Sequence, residues 1–217
     1  LLGWIFSKPF LLINLSKENT SLLGTVFTFL LFIFLMPTWF NIRWQKRNSW
    51  SLLGVNNKTT LKNILFFSKG IIFSLILITL LLIPIFQGDN LSWGEGLSRN
   101  TILNGIFLIF GVGFAEELIF RGWLLEELKN QFGIKISLIS QAIVFGIIHI
   151  IVIINLWNIS GAFLSLGLFL LGMLCSMLRL KDEKSLWGAI GLHGGLVGFW
   201  FILNHGLIEI SIETPNW

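Results

Sequence analysis

The residues able to do chemistry sit where charge is hardest to keep. The run GVGFAEELIFRGWLLEEL carries Glu116, Glu117 and Arg121, FGIIH carries Phe145 and His149, and GLHGG carries His193. Each lies in an apolar stretch, and an Asp, Lys or Arg at mid-bilayer costs roughly 2.5–3.5 kcal/mol by insertion scales. Such groups persist where they pair or line a wet cavity. Glu117 and Arg121 are four apart, so on a helix they share a face and form an ion pair. Glu116 is turned away by about 100°, toward a different neighbour. A paired glutamate beside an unpaired one reads as one supporting and one working carboxylate. The blander reading ends this span early and leaves both acids among headgroups, the solvated role that Glu126 and Glu127 are expected to fill.

A lone histidine in an apolar helix is more often packing than a base or ligand, so depth matters. Measured from Lys129, Lys135 and Lys184 as anchors, helical rise places Glu116 at ~20 Å, His149 at ~21 Å and His193 at ~13 Å. Tilt absorbs that difference. Three segments therefore bring acid–base groups to comparable depth, which scattered packing residues would not do. Peptide hydrolysis needs an activated water, an oxyanion stabiliser and a proton donor for the leaving amine. Glu116 with His149 can hold and deprotonate a water, and His193 can donate to the oxyanion. No serine, and not the single cysteine Cys175, has a matching acid–base partner. Two histidines with one or two glutamates also suit zinc. The HExxH spacing is absent, so a divalent metal on Glu116, His149 and His193 stays open. His205 is expected at the far interface, outside the site.

The elements that must position these groups follow from composition. The 217 residues are 54% hydrophobic and 12% charged, with a mean hydropathy of +0.83. That is about half the charge of an ordinary soluble domain. Six stretches approach the ~20 apolar residues that span a bilayer: 21–40, 70–86, 102–125, 136–154, 161–178 and 185–203. The expected fold is all-α, a polytopic membrane bundle of about six transmembrane helices. Residues 1–12 form a partial span or interfacial segment, and the absence of an initial methionine points to a natural start further upstream. Residues 1–99 read as an N-terminal membrane region, 100–205 as the chemical domain and 206–217 as a short tail.

Putting the loop after the first span in the cytoplasm gathers twelve of the 15 Lys and Arg residues on that side, as the positive-inside bias requires. Arg179, Lys181 and Lys184 belong to that group. The net charge of +4 is thereby assigned to membrane topology, with no basic run dense enough for nucleic acid. Glycines 188, 191, 195 and 198 would let helices approach closely beside His193.

In this order, EELIFR (EExxxR), FGIIH (FxxxH) and a final histidine resemble the CPBP family, the type II CAAX prenyl endopeptidases with their bacteriocin-processing and Abi relatives. The resemblance covers about residues 100–205. It implies Glu116 as catalytic base, Glu117 and Arg121 as its support, Phe145 as part of the FxxxH motif, His149 as a water-positioning partner and His193 as part of the oxyanion site. It also implies a membrane-anchored or lipidated peptide or protein substrate, and a bacterial-type cell membrane or a related internal one. The family's last motif reads HxxxN or HxxxD, whereas this chain has Val197 four residues after His193, and Asn204 lies about 16 Å further along. Three functions stay in view: an endopeptidase, an inactive scaffold or immunity-type protein, and a small transporter or proton relay.

Overall fold

The computed structural model describes residues 17–45, 48–56, 58–87, 91–94, 96–153 and 159–210. Residues 1–12, expected as a partial span, lie outside them. The chain divides into two compact units, Leu1–Leu52 and Leu53–Trp217. In the first, α1 (Lys17–Trp44) contains Pro37, and its Phe40 and Trp44 rings meet edge-on at 4.1 Å. Helix α2 (Ser49–Leu53) is a single short turn at the boundary.

The second unit contains α3 (Thr60–Gln87), then β1 (Leu91–Trp93). One helical run follows: α4 (Arg99–Phe107), a π-turn (Leu108–Val112), α5 (Gly113–Glu117), a second π-turn (Leu118–Leu124) and α6 (Leu125–Ile153). Helix α7 (Ile159–Lys181) and α8 (Trp187–Ile202) complete the bundle, and a third π-turn (Leu203–Leu207) leads to β2 (Ile208–Ile210). The fold is all-α apart from the two short strands, which pair antiparallel with Ser92 opposite Glu209. Nothing in the sequence pattern announces them, and they tie the α3–α4 connection to the end of α8.

Four segments are long and apolar enough to cross a membrane by length and composition: Val26–Trp44, Thr60–Pro84, Arg99–Ile150 and Gly161–Lys181. The expected spans 102–125 and 136–154 both fall in the third. The short polar loop expected between them is absent; the helix runs on to a kink at Gly133, whose φ of 76° suits a residue without Cβ. The last expected span, 185–203, is a 16-residue α-helix, short of the ~20 residues needed until its π-turn is added. Exposed apolar side chains such as Ile76, Leu80, Phe110, Ile147 and Phe163 cover the outer faces, as lipid contact permits.

Helix α8 is the axis of this unit, and glycine makes that position available. A Cβ on Gly191 would lie 2.3 Å from the Phe67 carbonyl oxygen of α3, and one on Gly195 would lie 2.3 Å from Ser74 Oγ. On another side of α8, a Cβ on Gly194 would meet the Ile109 carbonyl at 2.4 Å, and Gly198 abuts the Gly105 carbonyl of α4. Two glycine edges thus let α8 touch backbone on both neighbours, the close packing that small residues allow between membrane helices. The expectation for 188, 191, 195 and 198 holds, since Gly188 likewise receives Gly70. His193 is carried into the centre by this packing.

Candidate active site

Glu116 and Glu117 sit on the short α5, between two π-turns. The second turn is wide enough for Leu125 N–H to reach the Phe120 carbonyl, five residues back. That geometry buries Leu118, Phe120, Arg121 and Gly122 together, where a regular helix would turn some of them outward. Turns of this kind often occur at functional sites.

The sequence candidates converge. Glu116 Oε2 lies 3.2 Å from His149 Nε2 and 3.7 Å from His193 Nε2. Glu117 Oε1 accepts from Arg121 Nη1 at 2.6 Å and from His193 Nδ1 at 2.8 Å. His149 Nδ1 donates to the Phe145 carbonyl at 2.8 Å. A carbonyl oxygen only accepts, so that bond places a proton on Nδ1 and leaves Nε2 to face Glu116. Glu117 does the same for His193. Two imidazoles, each oriented from behind, therefore present Nε2 to one carboxylate oxygen. A proton held at that point can pass between a carboxylate and either ring.

Exposure separates the two glutamates. The side chains of Glu116 and His149 are 27% and 20% exposed, whereas His193 is 3% exposed and Glu117 and Arg121 are fully enclosed. The first pair is reachable; the second group is a foundation. Glu117 consequently differs from its expected role: it holds His193, not Glu116. Its carboxylate sits between a guanidinium and an imidazole, where removing one partner would leave a buried charge uncompensated at about 3–5 kcal/mol.

Phe145 binds the arrangement together. It is fully buried, with the Arg121 guanidinium 4.2 Å above its ring and the His149 ring at 4.2 Å. His193 and Phe120 meet it edge-on at 5.5 and 5.0 Å. Cation–π contacts of this sort contribute about 2 kcal/mol or more when desolvated.

Among the described residues, no group of three or more His, Cys, Asp or Glu side chains is disposed to hold a metal ion. Glu116, His149 and His193 are of the types zinc takes, but as arranged they do not form the set of three donors that would fit it. Val197 is partly buried and offers no hydrogen-bonding group. Asn204 is exposed and lines a different pocket, with Ser98, Thr101 and His205, so it does not substitute. Cys175 is buried among Leu178, Ala189 and Leu192.

Several polar residues were passed over or misread in the sequence. Glu126, expected in solvent, is largely buried and bridges Lys129 and Arg179, the latter at 3.0 Å. Arg179, grouped above with the topology-setting cations, is 1% exposed. Asp182 is enclosed and pairs with Lys69; burial raises its carboxyl above the usual value, with Lys69 opposing the shift. Gln141 is fully buried in α6. Its spacing of four before Phe145 and eight before His149 is the one available signal, since all three then share a ridge.

Residues 98–199 match the profile described as type II CAAX prenyl endopeptidase Rce1-like. This region belongs to that family. It includes Glu116, Glu117, Arg121, Phe145, His149 and His193, and the family together with the apolar helices makes the chain an integral membrane protein. Residues 1–48 match a domain of unknown function, DUF8676. No curated protein and no solved structure matches the chain.

Proposed function

We propose that the chain is a multi-pass intramembrane endopeptidase that hydrolyses a peptide bond in a membrane-associated or lipidated protein. The observation that carries this reading is the meeting of Glu116 Oε2 with two separately oriented histidine Nε2 atoms. Glu116, reachable from outside, holds a water and takes its proton as the water attacks the scissile carbonyl. His149 fixes that water on its second side. His193, its Nδ1–H anchored on Glu117, acts as an imidazolium, whose second N–H, at Nε2, donates to the developing oxyanion with no reorganisation of the ring. The proton on Glu116 then passes to the leaving amine. The substrate is a peptide held at the bilayer, of bacterial or related internal membranes, and nucleic acid has no part in it.

The test compares cleavage of membrane peptides by wild type and Glu116→Gln at equal membrane expression. Distinct cleavage products lost in the variant support the assignment; identical profiles sink it. Loss of activity on strict chelation, restored by zinc, would replace the water-only mechanism with a metal-assisted one. Val197 favours a second reading, an inactive scaffold of the same family. A cellular function that survives Glu116→Ala would decide for it.

A further inference from the structure

Behind the site, four buried polar atoms have no hydrogen-bond partner: Glu117 Oε2, Arg121 Nε, Arg121 Nη2 and Gln141 Oε1. They belong to three side chains that are each fully enclosed, and buried polar groups of this kind are rarely left unpaired. Gly172 brings them together. A Cβ there would lie 3.4 Å from Arg121 Nη2 and 3.0 Å from the Ala142 side chain, while its carbonyl accepts from Gln141 Nε2 at 3.1 Å and from Ser176 Oγ at 3.0 Å. Gln141 Nε2 also donates to Ser176 Oγ at 2.6 Å and to the Leu138 carbonyl at 3.1 Å. With its amide nitrogen fully engaged, the amide oxygen is the free end. Donors on Arg121 and the amide of Gln141 thus flank the same notch in α7.

We propose that a single water molecule is bound in this notch, joining Gln141 Oε1 to the Arg121 guanidinium, and that Gln141 is thereby a positioning residue for the active site. The water needs two to four polar partners, and Gln141 Oε1 with Arg121 Nε and Nη2 supplies them in complementary types. Arg121 fixed at its Nε and Nη2 end holds Glu117 steady at Nη1, and Glu117 sets the His193 ring. Gln141 lies outside the EExxxR, FxxxH and final-histidine motifs. Its catalytic consequence rests on the endopeptidase reading; its structural consequence does not.

Gln141→Met removes the acceptor at similar volume. Ser176→Ala loosens the same α6–α7 tie but leaves the amide oxygen, which makes it the control. The expected result is a fall in kcat of about tenfold for Gln141→Met with KM unchanged, the lower end of what orienting partners of functional histidines contribute. Ser176→Ala is expected to lower Tm with kcat retained. Equal Tm losses for both variants with kcat unchanged would reduce Gln141 to a helix tie and overturn the proposal. A second measurement is independent of proteolysis: a thermal double-mutant cycle in detergent between Gln141→Met and Arg121→Lys, which keeps the charge beside Glu117 but not the second guanidinium edge. In the Arg121→Lys background the Gln141→Met shift, roughly 2–4 °C in wild type, is expected to vanish; additive shifts overturn the water bridge even if the chain cleaves nothing. Gln141→Asn, which withdraws the amide by one methylene, stands in if Gln141→Met does not fold.

Discussion

The chain contains the FxxxH arrangement twice, and the two copies are built alike. Phe145 and His149 have ring centroids 4.2 Å apart, as do Phe201 and His205. In each, the histidine Nδ1 donates to the phenylalanine carbonyl four residues back, at 2.8 and 3.1 Å. Their surroundings differ. His149 Nε2 faces Glu116 in a half-enclosed crevice, while His205 is exposed beside Ser98, Thr101 and Glu209 at the end of α8. The motif orients an imidazole on its own helix. What that imidazole can do depends on what other helices bring to its second nitrogen.

Substitutions can break this contrast. The largest expected effect is at the carboxylate that only the first copy has: Glu116→Gln and His149→Ala each lower peptide cleavage by about 10²–10⁴-fold, measured on the membrane-embedded enzyme, with His205→Ala within about twofold of wild type. A comparable loss in His205→Ala would show that the second copy belongs to the chemistry. Next is Val197→Asn, which places a donor one turn beyond His193. If the oxyanion lacks that donor, kcat rises by about tenfold or more, since one such donor is worth about 10²–10³; no gain would indicate that another group already supplies it.

Stability sharpens the same comparison. Phe145→Leu loses the Arg121 stack and three ring contacts, and is expected to destabilise by about 2 kcal/mol, read as a Tm fall of roughly 4–8 °C. Phe201→Leu, with its histidine in solvent, is expected to change stability by under about 0.5 kcal/mol. The smallest effect lies far from both copies. Hydrogen bonds from Lys58 and Lys62 hold the exposed Glu183 carboxyl below its ordinary 4.5. That tie is complete above the unfolded value and is lost as pH falls through the depressed one. Glu183→Gln should therefore cost slightly at neutral pH and nothing in strong acid, with the difference between the two melting curves shrinking below about pH 4.

The sequence made the bundle and the meeting of Glu116, His149 and His193 legible because apolar length and helical rise are local quantities. The Glu117–Arg121 pair was legible for the same reason, as a contact four residues apart on one helix. That Glu117 serves His193 was not, because it depends on α5 lying beside α8, an approach set by Gly113 against Gly194. Glu126 was read as solvated and Arg179 as a topology-setting cation because charge at a span end ordinarily faces water, and Asp182 was passed over. Their burial comes from partners on distant segments: Arg179 for Glu126, and Lys69 for Asp182. The π-turns were invisible because nothing in LIFGV or LIFRGWL distinguishes a five-residue turn from a regular one.

The break at Gly133 also bears on how the molecule assembles. Beyond the π-turn at Leu118–Leu124, it is the break between the segment that carries Glu116 and the stretch that carries His149, so these two segments form one hairpin with no intervening loop to close. Hairpins with short connections pay little closure entropy and form early. Glu116 would then find His149 while the chain is still being inserted, whereas Glu117 must wait for His193, 76 positions further along. Until α8 arrives, Glu117 has Arg121 alone for company, which makes the ion pair a chaperone for its own carboxylate during biogenesis. A chain truncated after α6 should accordingly still crosslink between cysteines placed at Glu116 and His149, and failure to do so would rule out that order of events.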